Sequence, residues 1–189
     1  QAASMVKAAR ETLNWDVPIV VSGINCSDIF ILLASAKDAE GVVSVVFGPM
    51  VYQTENPAVQ KYSQIWAKYG TGDPFSNFAF YGMNDGEMMV HLLEMAGQDL
   101  TRGDFLDAGE SECDFWCSGC TDIGPQSMSP TDHRPIEDEM YTKVEDGKWI
   151  PFGNIIGFES TPHCTPPTPP PGFDDQPKVG ADAPYVPLP

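Results

Sequence analysis

The sequence predicts an α/β fold that closes on a β-hairpin and continues into a Pro-rich tail. Three observations carry this reading. The first 47 residues alternate helical spacing with short continuous apolar runs, residues 140–152 read as two strands around Asp146-Gly147, and prolines recur from residue 161 to Pro189. Helices alternating with fully apolar strands mark a doubly wound lobe, because crossover helices cover both faces of a parallel sheet.

The elements follow in order. Met5, Val6, Ala9 and Leu13 fall at helical spacing, so the chain opens in an amphipathic helix. Residues 17–21, Val-Pro-Ile-Val-Val, suit a strand buried on both faces of a parallel sheet, and residues 42–47 form the only comparable run nearby. Between them, Ser27 or Asp28 can cap a short helix through Ala34. Gly48-Pro49 and Asn56-Pro57 bracket a turn-rich crossing over residues 48–56. Pro57 suits a first helical turn, and Val59, Tyr62, Trp66 and Tyr69 share one face until residues 70–74 end the helix.

Residues 77–81 read as a brief apolar strand. Asn84-Asp85-Gly86-Glu87 then resembles a capping box opening a helix that buries Met89, Leu92, Leu93 and Ala96 and stops at Gly97. Thr101 to Asp104 opens a shorter helix through Ala108. Pro130 and Pro135 forbid a helix across the next crossing, where Thr131, Asp132, His133 and Arg134 offer hydrogen-bonding groups. Residues 140–145 alternate, Asp146-Gly147 supplies a type I′ turn, and residues 148–152 return with Trp149 and Phe152 available for packing. The chain thus divides into residues 1–47, 48–108, 109–160 and the tail, 161–189. Consecutive prolines exclude helix and central strand from the tail, leaving a polyproline-II-rich linker or a docking segment.

A chain of 189 residues with 42% hydrophobic and 11% aromatic content can bury a core. Its formal charge of −17, with ten Lys and Arg, argues against nucleic acid and anionic membrane surfaces. The longest strongly apolar run, residues 29–34, is far short of a membrane span.

Five cysteines are present, Cys26, Cys113, Cys117, Cys120 and Cys164. The spacing C-x3-C-x2-C of Cys113, Cys117 and Cys120 admits an iron–sulfur cluster, or zinc with His133, His163 or Cys164 as fourth ligand. The preferred reading is a structural disulfide in an oxidising compartment, with no metal and no cofactor. No nucleophile elbow, zincin, phosphate-loop or dinucleotide motif occurs, and neither His91 nor His133 has a nucleophile partner, so an enzyme is not expected. Both histidines read as structural, with His133 bonding within the crossing. The acidic groups Asp104/Asp107 and Glu137-Asp138-Glu139 read as solvated faces. The ligand-binding candidate is the loop of residues 22–28, after the 17–21 strand, because α/β proteins bind at the C-terminal edge of a parallel sheet. Asn25 and Asp28 are its candidate residues, and Asp28 serves equally well as a helix cap.

Ser129-Pro130-Thr131-Asp132-His133 followed by Val144-Glu145-Asp146-Gly147-Lys148-Trp149 resembles the ending of the type I periplasmic solute-binding proteins, in the branched-chain amino acid (Leu/Ile/Val) group of ABC transporter receptors. Residues 17–21, Ala39-Glu40-Gly41-Val42, residues 57–69 and Phe80-Tyr81-Gly82 fall in that family's order, so the likeness covers about residues 5–155. The resemblance implies the C-terminal portion of a two-lobed fold, with parallel sheets flanked by helices and a terminal hairpin. About half a receptor would lie upstream of Gln1 or be supplied by another chain or segment. Residues 48–108 would return to the first lobe before the hairpin rejoins the second. The implied function is to bind an amino acid, amide or similar polar solute by hinge closure and to present it to an ABC permease, in the periplasm or outside the cell. Tyr81 would stand near the cleft, and cysteine pairs before the Ser-Pro-x-Asp-His loop occur in that family. Two alternatives remain. One is an extracellular interaction or assembly protein on the same fold with transport lost, and the other is a metal or redox protein built on the three clustered cysteines.

Overall fold

The computed structural model describes residues 1–113, 115–120, 123–157 and 178–180. Its centre is a sheet of four strands in the order β1-β2-β3-β4, comprising β1 (Val43–Val46), β2 (Asp138–Glu145), β3 (Lys148–Gly157) and β4 (Lys178–Gly180). β1 pairs antiparallel with β2, and β2 pairs antiparallel with β3, whereas β4 runs parallel to β3. The sheet is therefore mixed, because the hairpin inserts two antiparallel strands beside β1. The turn is the expected one, with φ of 50° at Asp146 and 72° at Gly147.

Residues 17–21 do run parallel to β1, bridged at Val20 and Val43. They are not buried on both faces. Ile19 and Val21 pack against the core, while Val20 is 62% exposed at an open sheet edge. Among the described residues the predicted doubly covered strand is thus covered on one face only.

Helices α1 (Ala2–Lys7), α2 (Asp28–Ala34) and α3 (Ala36–Ala39) pack on this sheet. α1 widens into π-type turns over Ala8–Thr12, and it buries Ala3, Val6 and Ala9 while the expected Met5 and Leu13 stay exposed. Ser27, not Asp28, caps α2, its side chain accepting from the Phe30 N–H. Trp149 seals the core. It is 1% exposed, lies 5.5 Å from the Phe30 ring, and donates its indole N–H to the Ser27 carbonyl at 3.0 Å.

A second apolar cluster forms on α4 (Pro57–Tyr69) and α5 (Asn77–Ala96), around Ala58, Val59, Tyr62 and Phe80. Asn56 caps α4 through the Ala58 and Val59 amides, and Trp66 and Tyr69 drift off its buried face. α5 departs from expectation. Residues 77–81 are its first turns rather than a strand, because Ser76 caps the helix and Asn77, Phe80, Asn84, Met88 and Leu92 make one buried stripe at helical spacing. Asn84 and Glu87 therefore lie inside α5 and do not open it. The buried face is rotated from the predicted one, leaving Met89 49% and Leu93 39% exposed. α6 (Arg102–Glu110) begins on the expected capping box of Thr101 and Asp104.

Cys117 and Cys120 form a disulfide around a 3-10 turn, Ser118–Cys120, and Cys113 is also disulfide-bonded. The turn sits on α5. Asn84 accepts the Gly119 N–H at 3.2 Å, and Glu87 accepts from the Ser118 N–H at 3.1 Å, from Lys61 at 2.9 Å and from the Tyr62 hydroxyl. Glu137-Asp138-Glu139 is not a solvated face. Asp138 is buried with no room for a Cβ on Gly124 or Gly157 beside it, and Glu139 is half-buried. Of the Pro-rich tail, Lys178–Gly180 is an edge strand rather than polyproline II, and the remainder lies outside the described residues, as do Cys164 and His163.

Candidate functional site

The loop of residues 22–28 ends β-bridged segment 17–21 and enters α2, so it lies at the C-terminal end of two parallel-running strands. A 3-10 turn, Gly23–Asn25, folds it back on β1, where Ser44 donates its hydroxyl to the Ser22 carbonyl at 3.2 Å. The loop meets the start of α5. Asp28 accepts the Asn77 backbone N–H at 3.1 Å, and the Asn77 amide donates to the Pro49 carbonyl at 3.3 Å. Sequence 28, crossing 48–56 and helix α5 are thereby joined at one place.

Two polar atoms at this junction have no hydrogen-bond partner beyond one another's side chains among the described residues. They are the Asn77 Oδ1 and the Tyr81 hydroxyl, one helical turn apart on α5, and both are buried. Orphaned buried polar atoms cost about 1–3 kcal/mol each, so they are uncommon outside places that receive water or ligand. The Tyr81 ring lies 5.0 Å from Phe47 at the end of β1, and its phenol is pushed above the ordinary range chiefly by burial, with Cys26 and then Asp28 adding to the rise and the neighbouring Asn77 side chain opposing it. A small cavity of about 30 Å³ adjoins it, lined by Phe47, Phe80, Tyr81, Asn84 and Ile136 among others. Tyr52 closes the junction from the crossing, donating its hydroxyl to the Trp149 carbonyl at 2.6 Å.

Asp28 is the one formal charge in this set of Ser22, Asn25, Asp28, Phe47, Tyr52, Asn77 and Tyr81. It stands at the N-terminus of α5, where backbone partial positive charge favours a carboxylate. Cys26 is wholly buried behind it against Met50, its thiol pushed up to about 12 by burial, which leaves it inert.

Of the three predicted site residues, Asp28 and Tyr81 converge on the Asn77 junction. Asn25 is turned within its own loop, donating to the Ser22 hydroxyl at 2.9 Å, and is half-buried. Asn77, Tyr52 and Phe47 were not predicted. Asn77 was hidden by the strand-like reading of residues 77–81, and a Ser-Asn pair ahead of a helix was the available signal. Both histidines have structural partners. His91 meets Glu112 at 2.5 Å and stacks on Phe115 at 4.0 Å, while His133 meets Glu110 at 3.1 Å. The loop around His133 organises itself, with Asp132 held well below the usual carboxylate range by its bonds from Arg134. Among the described residues no group of three His, Cys, Asp or Glu has metal-site geometry, and no helix is long and apolar enough to cross a membrane.

Residues 1–148 match the family model described as periplasmic binding protein. The chain belongs to the periplasmic binding protein family. Members of this family are binding proteins rather than enzymes. No protein with curated function matches the sequence. Solved structures do. A branched-chain amino acid ABC transporter protein from Thermus thermophilus with bound valine is 20% identical with a TM-score of 0.67, over 82% of this chain and 42% of its own. A possible leucine/isoleucine/valine-binding protein from Rhodopirellula baltica is 17% identical with a TM-score of 0.66, over 80% and 40%. The substrate-binding protein of a Streptococcus pneumoniae branched-chain amino acid transporter, in complex with isoleucine, is 22% identical with a TM-score of 0.53, over 79% and 41%. At these identities the likeness establishes the type I periplasmic-binding-protein fold. This chain spans about two fifths of the length of these relatives, so it carries part of that fold.

Proposed function

We propose that this chain is part of a solute receptor of an ABC uptake system, binding an amino acid, amide or similar small polar solute between two lobes that close as a hinge. Two separate apolar clusters support the lobes. One surrounds Trp149 with α1 to β1 and the hairpin, and the other surrounds Tyr62 and Phe80 on α4 and α5. Residues 1–47 and the hairpin then belong to the second lobe, residues 48–108 to the first, and residues 109–137 to the crossing between them.

The observation that carries the reading is the pair of buried atoms, Asn77 Oδ1 and the Tyr81 hydroxyl, which among the described residues have no partner beyond one another's side chains, beside the Asp28 carboxylate where the two clusters meet. Acceptors and one negative charge, without a neighbouring cation in the set, suit the N–H groups of an ammonium or amide. Asn25 and Ser22 stand in the loop that leads into Asp28. The site of action is the periplasm or the cell exterior, which agrees with the Cys117–Cys120 disulfide, and the partner is the membrane permease.

Calorimetry of the full-length protein with amino acids, amides and urea tests this. Micromolar binding, about −8 kcal/mol, is expected for one of them. Absence of binding to every polar solute at millimolar concentration removes the receptor reading and leaves the interaction-protein alternative.

A further inference from the structure

We infer that Cys113 is disulfide-bonded to Cys164, a cross-link that fastens the Pro-rich C-terminal segment to the loop after α6. The inference is independent of the solute reading. It rests on the bond that Cys113 makes, on the count of cysteines and on where β3 ends.

Cys113, Cys117 and Cys120 are all disulfide-bonded, and Cys117 and Cys120 are bonded to each other. Cys26 is a free thiol, wholly buried against Met50. The sequence has five cysteines, so within the chain Cys164 is the partner left for Cys113. The C-x3-C-x2-C cluster therefore divides, two of its sulfurs closing a local turn and the third reaching outside it.

The path of the chain brings the two cysteines within reach. Phe115, two residues after Cys113, exchanges backbone bonds with Gln126 at 2.6 and 2.9 Å. Gly124, two residues before Gln126, abuts the Asp138 carboxylate, and Asp138 pairs with Gly157 at the end of β3. The same carboxylate lies against Gly157, where a Cβ would stand 2.8 Å from its Oδ1. The chain thus leaves β3 beside the segment on which Cys113 is seated. An extended chain spans about 3.3–3.6 Å per residue, so the seven steps from Gly157 to Cys164 cover up to about 25 Å.

Cys113 is a fixed anchor. Its N–H donates to the Glu112 carboxylate at 2.9 Å, and that buried carboxylate meets His91 of α5 at 2.5 Å, with the His91 ring stacked on Phe115 at 4.0 Å. The cross-link therefore ties the C-terminal segment to α5 through the loop after α6, and the ring it closes contains the crossing and the whole hairpin. Its formation joins the two sulfurs, releases both thiol protons and passes two electrons to the disulfide of a thiol-oxidising partner, which becomes a dithiol. Oxidants of that class act in the periplasm and outside the cell.

Peptide mapping tests the inference. The protein, purified from an oxidising compartment, is denatured and its thiols are blocked with a maleimide under mildly acidic conditions, which suppress exchange, before digestion without reduction. The expected result is a linked peptide pair holding Cys113 and Cys164 that reduction separates, with Cys26 as the single labelled cysteine. Cys164→Ser should open Cys113 to the label and lower the melting temperature. Cys113→Ser should lower it as much and the double variant no further, because all three remove the same bond. The mapping needs no variant, so it stands whether or not the substituted chains fold. Three results would overturn the inference: a labelled Cys164 in the wild-type protein, Cys113 linked to Cys117 or Cys120, or a dimer joined through Cys113 that reduction splits.

Discussion

The Asp28 carboxylate accepts the backbone N–H of Asn77, 49 residues further along the chain, at 3.1 Å. It therefore neutralises an orphan donor at the start of α5 while Ser27 does the same for α2. Asp28→Ala should cost about 0.5–2 kcal/mol in denaturant unfolding. Asp28→Asn keeps an acceptor oxygen and should cost less. Equal losses would show that charge, not the hydrogen bond, ties α2 to α5.

Gly119 has no space for a side chain. An added Cβ would lie 2.6 Å from the Asn84 Oδ1 and 2.9 Å from the Phe80 ring. Gly119→Ala should destabilise by about 1–3 kcal/mol through overpacking. Gly82, on α5, has open space around its Cβ position, so Gly82→Ala should stabilise by about 0.5–1 kcal/mol. Thermal unfolding of both variants checks the pair, and opposite signs are expected.

Two glutamates should shift stability with pH in opposite directions. Burial alone would raise Glu87, but its bonds from Tyr62, Lys61 and Ser118 outweigh that and hold it below the ordinary value. The unfolded chain then binds more protons, so Glu87 stabilises fully above the ordinary glutamate range, and the gain is lost as pH falls through the lowered value. Burial raises Glu139. There the folded chain binds more protons, and stability falls as pH rises from the ordinary value through the raised one. Glu87→Gln should therefore destabilise at pH 7 and approach wild type in acid, whereas Glu139→Gln should stabilise at pH 7.

Cys26 should resist modification. It is fully buried and its thiol is pushed up to about 12, so little thiolate forms at pH 8. Alkylation with mass mapping should leave Cys26 unlabelled in the native protein and label it in denaturant. Rapid native labelling would mean that the core around Met50 opens readily.

Local signals were the most legible. The hairpin turn follows from Asp146-Gly147 alone, the first turn of α4 from Pro57, and the cap at Thr101 from Asp104 three residues on. Tertiary choices were not legible. Residues 77–81 look like a strand until Ser76 caps them and Phe80 packs on Tyr62, 5.1 Å away. Residues 17–21 look doubly buried because their side chains suit it, yet among the described residues only β1 lies beside them. At the candidate site, Asp28 was readable as a cap or a ligand residue. That it caps a helix 49 residues away could not be read from its neighbours.

The Asp28–Asn77–Tyr81 junction is the proposed solute site. Calorimetric titration of the full-length protein and its Tyr81→Phe and Asn25→Ala variants with the best-bound solute tests it most directly. Tyr81→Phe should bind about tenfold more weakly, the loss of one hydrogen bond of roughly 1.4 kcal/mol, with unchanged melting temperature. Asn25→Ala should lose less. Wild-type affinity in both variants would contradict this site assignment.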